Sequence, residues 1–206
     1  MEDFSKLYSY LWKLGEAGKD PVFHAFKVTE KIVARQLDRE AWLALLSTFQ
    51  QNQAPVVSLG IIGALIKEGD RESSNLRLAE MLPFLETRDW SHRSTGNQVL
   101  CAVRRRLIRE DMDDVEDDTL LKVTLILSAI SSSEHATQNT GTIVDILWDL
   151  VFGLREVGRV LPEEAKSQVE EMLRSRLCEL PLVYEESRSE VMIELGIRSQ
   201  SSVDED

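Results

Sequence analysis

A chain of 206 residues, 43% hydrophobic and 29% charged, is one globular domain or a short repeat array, able to bury roughly 70% of its unfolded surface. Ten glycines and five prolines are too few for turn-dense β structure, so helices are the expected fabric. A formal net charge of −12 opposes a function built on phosphate contacts and suits either a solubilising surface or a basic partner.

The amino terminus, MEDFSKLYSYLWKLGEAG, has acidic residues where a secretory signal has basic ones, which predicts a cytoplasmic protein. The most apolar stretches, Val56–Ile66, Leu120–Ile130 and Ile143–Leu154, are shorter than the roughly 20 residues of a membrane span. Cys101 and Cys178 lie far apart inside apolar helical patterns and belong to no CxxC motif. Two buried free thiols are therefore expected, without a disulfide framework or zinc site.

In chain order, Phe4, Leu7, Tyr8, Leu11 and Leu14 share one face of a first helix that Gly15 and Gly18 close. Asp20-Pro21 starts a second, whose stripe includes Phe23, Phe26, Ile32 and Val33. Asp38 caps a third with Trp42, Leu45, Leu46 and Phe49, and past QQNQ and Pro55 comes VVSLGIIGALIKEG. That run is apolar on nearly every side, so it reads as a helix buried between neighbours, with Gly60 and Gly63 admitting a close backbone, or as a β-strand.

From Leu76 to Ile108 the pattern is clearest. Leu78, Met81, Leu82 and Leu85 form one stripe, Val99, Leu100, Val103 and Leu107 another, and the turn lies around Thr87–Asp89. A fourth pair is expected at Thr119–Ser131 and about Thr137–Val157, with Leu120, Val123, Leu127 and Ile130 facing Ile143, Leu147, Val151 and Leu154. SSSEHATQNTG, between them, reads as the longest soft linker. A fifth pair runs from Pro162 to Cys178 and from about Tyr184 to Leu195. The acidic tail 199–206, SQSSVDED, lacks apolar anchors and should be disordered.

Asp89, His92-Arg93, Gly96 and Val99-Leu100 follow the order turn Asp, helix-opening residue, basic residue, small residue, apolar pair, with His92 in place of the usual apolar opener. Val56, Gly60 and Gly63-Ala64 repeat the apolar and small positions, with Asn52 for the Asp and Val57 for the basic residue. In these features the chain resembles the HEAT-like α-helical repeat family, in motif over about Asn52 to Ile108 and in layout over most of its length. The resemblance implies an all-α fold: a HEAT-like α-solenoid of about five antiparallel helix pairs (about 4–36, 38–69, 74–109, 119–157 and 162–195) in one domain, 1–198. An irregular helical bundle is the competing architecture.

Motifs for chemistry are sparse. The acidic run 110–118, EDMDDVEDD, lacks the turn glycine of a calcium loop and has Lys122 where a bidentate Glu belongs. It reads as a solvated inter-helix loop or as a contact for a basic partner through Asp111, Asp113, Asp114, Glu116, Asp117 and Asp118. Arg93, Arg104, Arg105, Arg106 and Arg109 form the one basic cluster, suited to opposing a helix dipole or to binding an anion. The family resemblance brings in DNA glycosylases of alkylated bases, which line a concave surface with basic and aromatic residues. The negative net charge counts against that function here.

His24, His92 and His135 fall in separate units and in no HExxH motif, so no metal and no cofactor is assigned. The absence of GxSxG, P-loop and GxGxxG motifs points away from an enzyme. Trp12 and Trp42 lie on or beside apolar stripes. Trp90 at a turn, and Trp148 beside Asp145 and Asp149, are the candidates for exposed interface anchors.

The expected function is a non-catalytic protein-binding module. Its most concrete form is an acidic immunity or inhibitor protein capping a basic toxin or enzyme; an adaptor or assembly factor is the alternative. A small-molecule site near Trp90 or Trp148 is a further possibility.

Overall fold

The computed structural model describes residues 93–108, 111–132, 136–178 and 181–197, together with 9, 13, 62–64, 66–67, 77–79 and 81–82. Of these, 81% are helical and none lies in a strand, so the described part is all-α. The chain divides into two compact units, Met1–Arg109 and Glu110–Asp206.

In the first unit the helix α1, Arg93–Ile108, buries Val99, Leu100, Val103 and Leu107, the stripe that the 3.6-residue period selects. Gly96 and Ala102 are buried beside it, and Asn97, Cys101 and Arg105 lie on the opposite, exposed face. Ile62, Ala64 and Ile66 are helical and wholly buried, which decides for helix over strand at those positions. Leu78 and Met81 are buried and Leu82 is half-buried. Ser9 and Lys13 are helical and exposed, one turn apart on the polar side of the first predicted helix.

The second unit contains α2, Asp117–Ser131; α3, Ala136–Glu156; α4, Glu163–Glu171, which runs on into a π-helical turn over Met172–Arg176; and α5, Leu182–Glu194. These match the expected helices to within two residues at most ends. Before α3 the helix expected from about Thr137 begins at Ala136, so the later half of SSSEHATQNTG, residues 136–141, is helix rather than linker. Asn139 and Thr140 are buried there at 3% and 7% exposure, and Tyr184 packs on Gly141. Tertiary packing thus overrides the weak helix propensity of a polar stretch.

Contacts place α2 against both α3 and α4, and α3 against both α2 and α5. The predicted faces fill the centre: Leu120, Val123, Leu127 and Ile130 of α2, and Ile143 and Leu147 of α3, have no exposed surface. Val144, Ile146 and Leu150 are equally buried, so α3 is covered on a wider arc than one stripe. Each such side chain contributes about 1.5–3 kcal/mol of burial free energy.

Both second helices end in the same way. At α3, Gly158 has φ 72° and donates to the Arg155 carbonyl at 3.0 Å, while the Arg159 N–H reaches the Leu154 carbonyl at 2.8 Å. At α5, Gly196 has φ 70° and donates to Ile193 at 3.0 Å, and Ile197 N–H reaches Met192 at 2.8 Å. Each is a Schellman cap, and the buried Met192 and Ile197 are placed to supply its usual apolar contact.

Candidate partner-binding face

On α3, Asp145, Trp148, Asp149, Phe152, Arg155 and Glu156 recur at helical spacing along the side turned away from the buried residues. On α5, Glu190 and Glu194 are one turn apart on the edge next to α3. The two edges are laced together. Trp148 Nε1–H donates to Glu190 Oε2 at 2.6 Å, and Arg155 Nη1 to Glu194 Oε2 at 2.8 Å.

Between those bonds lies Phe152, stacked on Trp148 with ring centroids 4.7 Å apart and planes 27° from parallel. The Arg155 guanidinium sits over the Phe152 ring, 5.2 Å from its centroid. The indole is 37% exposed, so the carboxylate of Glu190 holds in place an aromatic surface that solvent still reaches. Tyr184 fixes the other end of the seam: a Cβ on Gly141 would come within 2.2 Å of its ring, so the glycine makes the α3–α5 approach possible. The result is an ordered aromatic ledge bordered by carboxylates, one of which, Glu194, is paired with Arg155.

The acidic run has a different construction. Asp111, Asp113, Asp114 and Glu116 are exposed, whereas Val115 is buried and the Met112 side chain lies over Gly153 of α3. The loop backbone is gripped from outside its own sequence. Arg159 Nη1 donates to the carbonyls of Met112 (2.7 Å), Asp113 (3.0 Å) and Val115 (2.7 Å), and Arg159 Nη2 donates to Asp117 Oδ1 (2.9 Å). Asp117 and Asp118 belong to the first turn of α2, where negative charge opposes the helix dipole, and Asp118 also pairs with Lys122. A guanidinium therefore fills the centre of the loop, and carboxylates project outward.

Of the basic cluster, Arg105 is exposed, Arg104 is half-buried and engaged, and Arg106 is 4% exposed and also engaged. Arg105 and Arg106 occupy the last turn of α1, where cations oppose the dipole. Asp145 and Asp149 are half-buried beside Trp148. Trp90, Arg109 and the side chain of Arg93 lie outside the described residues, as do Trp12, Trp42, His24, His92, His135 and the tail.

The cysteine expectation is corrected: Cys101 and Cys178 are free and both exposed. Cys101 follows Asn97 and precedes Arg105 by one turn each, on the polar face of α1, so the apolar residues around it in sequence point elsewhere. Among the described residues no group of three His, Cys, Asp or Glu side chains is arranged to hold a metal ion, and no helix is long and apolar enough to cross a membrane.

Sequence reasoning missed Phe152, Arg155, Arg159, Glu190 and Glu194. The Glu190–Glu194 spacing was a visible signal; its counterpart on α3 needed the helix packing. No family model, curated protein or solved structure matches the chain.

Proposed function

We propose that the chain is a non-catalytic protein-binding module of HEAT-like architecture, acting in the cytoplasm, that recognises a basic partner through the α3–α5 face. The observation that carries this reading is the exposed Trp148, stacked on the half-buried Phe152, among Asp145, Asp149, Glu190 and Glu194. Exposed tryptophan that is already oriented loses little conformational freedom on binding, and surrounding carboxylates speed the approach of a cation. The net charge of −12 adds long-range attraction.

An immunity or inhibitor protein that occupies the basic site of a toxin or enzyme is the most concrete form of this function. An adaptor or assembly factor would use the same face. A phosphate-binding role for the arginine cluster is less supported, since Arg106 is buried and Arg104 is already engaged.

Purified protein used as bait in lysate of its own cells, at low and moderate salt, tests the proposal. Wild type should retain one basic protein in stoichiometric amount, and Trp148→Ala should release it. Copurification of nucleic acid with no protein partner would contradict the reading.

A further inference from the structure

Helix α5 turns a second surface outward. Leu182 is 91% exposed, Val183 74% and Ile193 77%, the largest such exposures in α5. Leu182, Glu186, Ser189 and Ile193 recur at positions one, five, eight and twelve of the helix, so they form a single stripe opposite the buried Val191, with the buried Met192 to one side. Val183 and Glu190 lie along the margin of that stripe nearest α3, and Glu190 leads to Trp148.

We propose that this stripe, together with the Trp148 edge, seats a cationic amphipathic helix; the proposal rests on the protein-binding reading above and names the partner's form. Leu182 and Ile193, eleven positions apart, are separated by about 16 Å along the axis. That spacing matches apolar residues three turns apart on a helix lying alongside. Glu186 and Glu190 fall between the anchors, where lysine or arginine of the incoming helix would meet them.

Two properties of the surface select this occupant. A helix face offers no unpaired backbone groups to an extended strand, so the segment that docks must satisfy its own backbone, as a helix does. A second copy of the chain fits poorly. In a two-fold contact along α5, Glu186 and Glu190 would face their symmetry mates, placing like charges together around the apolar anchors.

The test uses the full chain and a fluorescein-labelled peptide of about 18 residues, leucine on one helical face and lysine on the flanks, followed by anisotropy. Leu182→Ser/Ile193→Ser alters two solvent-exposed side chains, so folding is expected to survive; circular dichroism checks it. That variant and Glu186→Lys/Glu190→Lys should each weaken binding by about tenfold or more. Asp113→Lys/Asp114→Lys, on the acidic loop, should stay within about twofold of wild type.

Equal affinity for all variants, loss only with the loop variant, or no binding at about 100 µM peptide would overturn the proposal. So would a dimer in sedimentation that Leu182→Ser/Ile193→Ser dissolves, since the second copy would then be the occupant. The lysate experiment separates this failure from that of the broader reading. A basic partner released by Trp148→Ala but retained by both α5 variants leaves the module intact and removes the docked helix, whereas no retained protein removes the module itself.

Discussion

Arg159 joins segments that are far apart in sequence. Three carbonyls and one carboxylate converge on a guanidinium that is 24% exposed, a geometry suited to a planar fork of donors. Its loss leaves carbonyls of the acidic loop without their donor, so Arg159→Ala should lower unfolding free energy by about 2–3 kcal/mol. Arg159→Lys should recover less than half of that, because an ammonium cannot span the same acceptors. Urea denaturation of the three proteins measures both. Neither effect was legible at residue 159 in the sequence, since the acceptors lie 42 to 47 positions earlier.

The cysteines show the opposite case. Helical phase alone puts Cys101 with Asn97 and Arg105, and the expectation of burial came from weighting nearby apolar residues over that phase. Native protein should react at both thiols with an aromatic disulfide reagent without denaturant. Protection of either thiol until unfolding would contradict its exposure.

Among the elements, helix positions and their buried stripes were readable because period and apolar content agree: the eight residues expected to face each other across α2 and α3 are all buried. The π-helical turn at Met172–Arg176 was not. It follows a regular helical pattern, and its stabilising partners come from other helices: Arg188 of α5 donates to the Leu173 carbonyl at 3.1 Å, while Arg176 itself donates to the Ser128 carbonyl of α2 at 3.0 Å. Helix ends were easier. Gly158 and Gly196 have open space around the position of a Cβ, so only their positive φ demands glycine. Gly158→Ala and Gly196→Ala should each cost about 1–2 kcal/mol, read from thermal or urea unfolding, without altering the helix count by circular dichroism.

Gly141 is a glycine of another kind, required by space. Gly141→Ala would drive a methyl group into the Tyr184 ring and should loosen the α3–α5 seam. Adding Tyr184→Ala removes the obstacle, so the double variant should be more stable than the sum of the single losses predicts, by about 1 kcal/mol in a double-mutant cycle. Strict additivity would mean that the two residues do not meet.

For the whole molecule, composition and periodicity lead to the expectation of an all-α chain, and the described residues are 81% helical with no strand. The candidate face was less legible. Trp148, Asp145 and Asp149 stood out as a tryptophan among acids, but which residues complete the surface depends on α5 packing against α3. The acidic loop stood out by charge density, and its clamp by Arg159 makes it a fixed projection whose carboxylates remain exposed. At whole-molecule scale the strong negative charge should make association with a basic partner salt-dependent, whereas the aromatic contact should not depend on salt.

That distinction sets the most direct measurement: titration calorimetry of the captured basic protein against wild type, Trp148→Ala and Asp113→Lys/Asp114→Lys at two salt concentrations. Trp148→Ala should weaken affinity by about tenfold or more at both salt levels, while the loop variant should lose chiefly the low-salt advantage. An unchanged affinity for Trp148→Ala, with the partner still held at moderate salt, would contradict the assignment of the α3–α5 face as the binding surface.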